Sequence, residues 1–346
     1  MPKPASRPVY LWLLSGCLLI FLMVVVGGIT RLTGSGLSIT EWKPIMGAVP
    51  PMSDEEWNIA FEKYKQIPQY QIVNSHFTIS DFKQIFFWEY LHRLIARFIG
   101  VVFLIPFAWF VIKKKLSPAM MKRSLFLFGL GGLQGFIGWY MVSSGLQDLT
   151  SVSHIRLAVH LITAFITFGF TLYFALELID PRPAGESEGR KHLNFVRLLF
   201  GLIIIQIMYG AFVAGLHAGK IHTTFPLMSG QVIPSDIFSY PSFLKNVFDN
   251  PVTVQFIHRF FAFAIVFLTG WLWLSSRKSI LTGGQTKSIN YLLIALSIQF
   301  ILGVVTLLTA VNIPIALLHQ AGAFFLFSAG VFSLFQFTRK TSQQRV

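Results

Sequence analysis

Charged residues are scarce in this chain. Only 12% of its 346 residues are Asp, Glu, Lys or Arg, whereas charged residues make up about a quarter of a soluble domain. Acidic residues are the rarer kind, 14 against 28 basic ones, while 54% of the residues are hydrophobic and the mean hydropathy is +0.63. This composition indicates that much of the protein surface does not face water.

Cysteine is also scarce, because Cys17 is the only one. An intrachain disulfide is therefore excluded, and the absence of CxxC and HExxH motifs argues against a structural zinc site. The sequence Leu14-Ser15-Gly16-Cys17 resembles a lipoprotein processing site, but the apolar run around it extends from Val9 to Ile29. That run is too long for a signal peptide, so we expect it to be a membrane span.

Long apolar runs are abundant. A membrane-spanning helix needs about 20 mainly apolar residues, and eight runs satisfy this requirement. They lie near residues 9–30, 85–112, 124–144, 155–179, 196–216, 253–276, 289–311 and 315–338. The sequence therefore predicts an all-α integral membrane protein with eight transmembrane helices.

Basic residues are concentrated in every second loop, and this pattern indicates the topology. By the positive-inside rule, the loops that carry them face the cytoplasm, as do both termini. The net charge of +14 thus reflects topology rather than nucleic-acid binding, and without a transit peptide a bacterial cytoplasmic (inner) membrane is favoured. The residues are Lys3, Arg7, Lys113, Lys114, Lys115, Lys122, Arg123, Arg182, Arg190, Lys191, Arg197, Arg277, Lys278, Lys287, Arg339, Lys340 and Arg345.

The sequence also repeats itself. The segment 89–93 opens the second predicted helix much as 255–259 opens the sixth, and 134–138 in the third helix matches 299–303 in the seventh. We predict two pseudo-repeated four-helix bundles in parallel orientation. The N-terminal half covers 1–185 with a long outer loop at 31–84, and the C-terminal half covers 186–346 with an outer loop at 217–252. The first loop is either a solvated cap or a cover over a site.

Four histidines lie just inside the outer ends of the even-numbered predicted helices. They are His92, His160, His258 and His319. A polar side chain at that depth is costly without a partner, and a hydrogen bond between helices is one explanation. Four matched positions favour a shared ligand, and porphyrin iron takes axial histidines. We predict two haem pockets, one from His92 and His160 and one from His258 and His319.

The two halves differ beside the first histidine of each pair. Glu89 stands three residues before His92, whereas Gln255 stands three residues before His258. Residues three apart share a helix face, so we expect Glu89 to face the first pocket. It would take part in proton transfer there, or it would pair with a nearby arginine as part of the structure.

Arg93 and Arg259 directly follow the first histidine of each pair. Guanidinium groups bind carboxylates well, so these two arginines are candidate partners for porphyrin propionates. The alternative is that their side chains simply extend to the membrane interface.

Three features carry a family resemblance: Gly27-Gly28-Ile29-Thr30-Arg31-Leu32-Thr33-Gly34-Ser35-Gly36-Leu37, the segment Glu89–Arg93, and the four histidines in two halves. Over essentially the whole chain, the sequence resembles the haem A synthase family. The stretch 38–51, with Glu41, Trp42, Pro44 and Gly47, resembles the branch in mitochondria and many Gram-negative bacteria. Some relatives carry a cysteine pair in an outer loop, which this chain lacks.

The resemblance implies conversion of haem O to haem A, in which successive hydroxylation and loss of water turn a ring methyl into a formyl group. It implies that His92 and His160 hold haem O, and that His258 and His319 hold a resident haem b that relays electrons. Glu89 would act beside the methyl, as a base or as a carboxylate that stabilises a cationic intermediate. The implied partners are haem O synthase, an electron donor and the lipid bilayer.

Three other functions stay open at this point. A dihaem cytochrome that relays electrons would use all four histidines but gives Glu89 no role. A haem carrier or assembly factor predicts reversible haem binding and an unchanged porphyrin. A transporter of other solutes fits the parallel repeat but has no obvious use for four matched histidines.

Overall fold

The computed structural model describes residues 7–42, 46–147, 149–181 and 190–339. Lys3, Arg182, Lys340 and Arg345 of the predicted topology signal and Pro44 of the loop motif lie outside these ranges. Within them the chain forms ten α-helices and no β-strand. The helices are α1 (Arg7–Leu32), α2 (Asp54–Lys65), α3 (Ile79–Ile112), α4 (Pro118–Ser143), α5 (His154–Ile179), α6 (Arg190–Gly215), α7 (Phe243–Asp249), α8 (Pro251–Ser276), α9 (Gly283–Leu308) and α10 (Ile313–Thr338).

Eight of these helices are long and apolar enough to cross a membrane, namely α1, α3 to α6 and α8 to α10, which confirms the eight predicted spans. Four of them, α3, α4, α6 and α9, begin six residues earlier than the apolar runs indicate. In α3, α4 and α9 the first turn is capped, since Thr78, Ser117 and Thr282 each accept a backbone N–H of the new helix. Such caps extend a helix beyond its apolar part.

The chain divides into two compact units, and each holds one predicted histidine pair. The first unit is Ser15–Ala164, and the second comprises the residues up to Leu14 together with those from Phe165 onward. In the second unit, α6 packs against α8, α8 against α9, α9 against α10 and α10 against α6, which forms a four-helix ring. The predicted division into halves at 185/186 stays a prediction.

The long segment between α1 and α3 has its own apolar core. Leu37, Phe61, Tyr64 and Phe82 are buried in one cluster, and Phe82 belongs to the first turn of α3. The Tyr64 hydroxyl lies 3.0 Å from Gln69 Oε1, and burial raises the pKa of Tyr64. This segment is therefore a packed structure held against the start of α3.

The segment between α6 and α8 is fixed by one buried asparagine. The Asn250 side-chain oxygen accepts from the backbone N–H of Val252, at 2.9 Å, and so caps α8. Its amide group donates to the carbonyl of Asp236 at 3.2 Å and to Asn246 Oδ1 at 3.1 Å. The loop is thereby attached to the helix that carries His258.

Candidate functional site

The four predicted ligands lie in the N-terminal half of their helices, His92 at the fourteenth residue of α3 and the other three at the seventh or eighth residue. His92 is in α3, His160 in α5, His258 in α8 and His319 in α10. His92 and His160 both belong to the first unit, and His258 and His319 both belong to the second. The structure thus places the two residues of each predicted pair in the same unit.

Each of these imidazoles rests against a glycine of a neighbouring helix. A methyl group in place of the glycine hydrogen would lie 2.9–3.3 Å from the imidazole Cε1, which is closer than ordinary van der Waals contact. The pairs are Gly27 with His92, Gly138 with His160, Gly210 with His258 and Gly303 with His319. Every glycine stands five residues before the last residue of its helix. The absence of a side chain at these positions is what lets the rings approach the helix backbone.

The rings share one orientation, because in all four the Nδ1 atom is nearer the glycine than Nε2. The carbonyl of Gln206 lies beside the His258 ring, and the carbonyl of Gln299 lies beside the His319 ring. The Nε2 atoms of His160 and His258 also lie 3.4 Å from a glutamine amide on the same helix as the glycine, so both ring nitrogens of these two histidines face that helix.

Two glutamines, each one turn before the glycine of its helix, add hydrogen bonds between that helix and the histidine. Gln134 Nε2 donates to the carbonyl of His160 at 3.0 Å and lies 3.2 Å from its Nδ1. Gln206 Nε2 donates to the carbonyl of His258 at 3.0 Å and lies 3.4 Å from its Nε2. These side chains hold the histidine helix and its imidazole against the neighbouring helix. The sequence pattern had pointed only to Gln134, through the repeat of 134–138 at 299–303.

Glu89 is buried, with 3% of its surface exposed, and both of its carboxylate oxygens accept hydrogen bonds. Oε2 accepts from Ser38 Oγ at 2.7 Å and from the backbone N–H of Ile39 at 2.9 Å. Oε1 accepts from Arg93 Nη2 at 2.7 Å. The site therefore presents Glu89 as a fixed hydrogen-bond acceptor.

Arg93 and Arg259 hold the long loops of their units. Each guanidinium donates to two backbone carbonyls that stand two residues apart, at distances of 2.6–3.0 Å. The carbonyls are those of Ile39 and Glu41 for Arg93, and those of His222 and Thr224 for Arg259. Sequence reasoning missed these loop contacts. A role towards propionates stays a prediction.

The matched positions Glu89 and Gln255 differ in the direction of their hydrogen bonds. Glu89 accepts from the backbone N–H of Ile39, whereas Gln255 Nε2 donates to the carbonyl of His222 at 2.9 Å. Each side chain thus fits the loop that covers it. Only the first unit places a buried carboxylate one turn before the first histidine of its pair.

Comparison with known proteins gives full-length matches. The model of the cytochrome oxidase assembly protein family, COX15-CtaA, matches residues 10–331. A heme A synthase of Flavobacterium johnsoniae is 48% identical over 344 residues, covering 97% of this chain and 100% of the relative. A heme A synthase of Nitrosomonas eutropha is 45% identical over 327 residues, covering 94% of this chain and 92% of the relative. The range matched by the family model contains the positions of all four histidines and of Glu89.

Proposed function

Because this chain belongs to the cytochrome oxidase assembly protein family, we propose that it is a haem A synthase, a membrane enzyme that converts haem O to haem A. The observation that carries the proposal is the pair of glycine-backed histidine sites, of which only one has a buried carboxylate beside it. Relatives named heme A synthase match almost the whole chain, which supports the same assignment.

Eight apolar helices make this a multi-pass membrane protein. We place it in a bacterial cytoplasmic membrane with both termini in the cytoplasm. The support is the clustering of basic residues after α3 and α8, at Lys113 to Lys115 and at Arg277 and Lys278, on the ends of these helices opposite His92 and His258. The histidine sites and the two long loops then face the outer side of the membrane.

The four histidines fit two haems. We assign His92 and His160 to the substrate haem O and His258 and His319 to a resident haem b. The support is the matched placement of the four imidazoles, each of which rests against a glycine of a neighbouring helix. A bound haem b supplies one-electron transfer. The chain contributes the spacing and the orientation of the ligands.

Glu89 supplies a negative charge beside the methyl group that is oxidised. Both of its oxygens accept from existing donors, which favours stabilisation of developing positive charge over removal of a proton. A fixed charge of this kind needs little rearrangement during the reaction. Ser38 and Arg93 keep the carboxylate in place for that role.

Pigment extraction tests the proposed function. Membranes of cells that make haem O are compared with and without this protein, and the haems are separated by chromatography. We expect haem A only when the protein is present. Bound haem b without haem A, in a host that supplies haem O and a competent electron donor, would contradict the synthase assignment and favour a dihaem electron relay.

The glycine contact gives a second prediction, for the resident haem. In Gly303→Ala the new methyl would lie 2.9 Å from His319 Cε1, so the imidazole must move by a few tenths of an ångström. We expect a shifted optical spectrum and less haem b in the purified protein.

The matched control for this experiment is Gly201→Ala in the same unit. Among the described residues, no atom lies within 4 Å of a methyl group there, and alanine favours a helix over glycine by about 1 kcal/mol. This variant should keep its haem and its spectrum. An unaltered spectrum in Gly303→Ala would contradict the ligand assignment of His319.

A further inference from the structure

Two arginines of the first unit lie one helix turn from the proposed ligand contacts. Arg31 stands four residues after Gly27 in α1, and Arg156 stands four residues before His160 in α5. Residues four apart share a helix face, so each arginine is on the face that carries its glycine or histidine. Each lies nearer the end of its helix than the contact does, Arg31 in the last turn of α1 and Arg156 in the first turn of α5.

The second unit has no charged side chain at the matching positions. Ala214 stands four residues after Gly210 in α6, and Ile315 stands four residues before His319 in α10. The two additional arginines therefore belong to the histidine site that also has a buried carboxylate.

The charges beside the first histidine of each pair explain why the first site needs cations of its own. In the first unit Glu89 forms an ion pair with Arg93 at 2.7 Å, and this pair contributes no net charge. In the second unit the matching residue Gln255 is neutral and does not offset the charge of Arg259. An anionic ligand of the first site therefore gains little from the arginine that both sites share, and the two additional arginines supply the positive charge.

The guanidinium of Arg156 is held through one of its nitrogens. Nη1 donates to the carbonyl of Tyr140 at 2.8 Å and to Ser143 Oγ at 3.2 Å, and the guanidinium carbon lies 3.8 Å from the centre of the Tyr140 ring. Among the described residues, no hydrogen bond uses Nη2 or Nε, and the side chain is only partly buried. Donors of this planar group thus stay available to a ligand.

Capping of α4 explains only the Nη1 contact. Tyr140 belongs to the last turn of α4, and arginine side chains bind the terminal carbonyls of helices. The matching carbonyl in the second unit, that of Val305 in α9, instead accepts from Thr309, from its N–H at 3.0 Å and from its hydroxyl at 2.8 Å. A helix end at this place therefore does not require an arginine.

We propose that Arg156, together with Arg31, binds the propionate carboxylates of the substrate haem. The inference rests on the proposed function. A haem carries two propionates on one edge of its ring, and an arginine binds a carboxylate through two parallel N–H groups. This contact fixes the rotation of haem O within its plane, and that rotation decides which ring methyl faces Glu89. The arginines are thus positioning residues for the choice of the methyl that is oxidised.

The test compares haem O with its dimethyl ester, in which both propionates are neutral. Full-length protein is purified in detergent from cells that make no haem O, and each compound is titrated while the optical spectrum is recorded. We expect the unaltered protein to bind haem O about ten- to a hundredfold more tightly than the ester, the value of a hydrogen bond to a charged group. Arg156→Gln should lose this preference and keep its haem b.

The matched control is Arg197→Gln, which removes an exposed arginine that donates to Asn194 at 3.3 Å in α6. It should keep the preference for haem O. Equal weakening of haem O and ester binding in Arg156→Gln would overturn the inference and leave Arg156 as a cap of α4. Equal affinity of the unaltered protein for the two compounds would also overturn it, and that measurement depends on no variant. Haem A formation by the unaltered protein separates either failure from failure of the proposed function.

Discussion

Glu89→Gln is expected to lower haem A formation by about 10²–10³-fold, the usual effect of removing one preorganised electrostatic group from an active site. The amide has the shape of the carboxylate and keeps one acceptor oxygen for Ser38 and Ile39. It lacks the negative charge. The variant therefore tests the charge of Glu89 separately from its hydrogen bonds to the loop. Replacement by alanine would remove both.

The same variant should keep its resident haem, since His258 and His319 belong to the other unit. Haem A and haem b are measured together in extracts of the purified protein. Arg93 still donates to the carbonyls of Ile39 and Glu41, so we expect the loop to stay folded, with about 1–3 kcal/mol of stability lost with the charged hydrogen bond.

Glu62→Gln is the matched control for loss of an acidic side chain. Glu62 is exposed and pairs with Lys65 three residues later, and exposed pairs contribute about 0–1 kcal/mol. Its haem A formation should equal that of the unaltered protein. A Glu89→Gln variant with normal haem A formation would show that the charge has no part in the mechanism.

His258→Ala is expected to remove the resident haem b and, with it, haem A formation. The histidine is one of only two ligands in its proposed pocket, so the iron would lose half of its protein ligation. A ligand that binds only the folded protein also stabilises it, so we expect a lower Tm. The measurements are the ratio of haem b to protein and the thermal unfolding of the detergent-solubilised protein.

His192→Ala is the control in the same unit. His192 lies at the start of α6, where its Nε2 is 3.0 Å from Ser279 Oγ, and it is not part of the proposed site. This variant should keep normal haem b. Retention of haem b with an unchanged low-spin spectrum in His258→Ala would mean that the second pocket has been assigned to the wrong residue.

The spans were predictable from sequence because a bilayer imposes a length on every apolar run, as α1 and α10 show. Helix starts were less predictable. The first turns of α3, α4 and α9 lie before the apolar runs, and their caps at Thr78, Ser117 and Thr282 depend on side-chain hydrogen bonds. A hydropathy pattern detects the apolar part of a helix and misses these turns.

The candidate site was predictable only in part. The histidines could be paired from the repeat, and the resemblance gave them roles. The donors to Glu89 come from Ser38 and Ile39, about fifty residues earlier in the chain, and no local pattern connects such positions. The role of the glycines was equally unpredictable, because Gly27 and Gly303 each contact an imidazole on another helix.

The arginine contacts with the loops have a consequence for variation of the loop sequences. Arg93 and Arg259 bind main-chain oxygens, so the side chains at positions 41, 222 and 224 can change without loss of these hydrogen bonds, provided that the main chain keeps its path. Position 39 is more restricted, because its N–H donates to Glu89 and proline has no such donor. A library of loop variants should therefore accept proline less often at 39 than at 41.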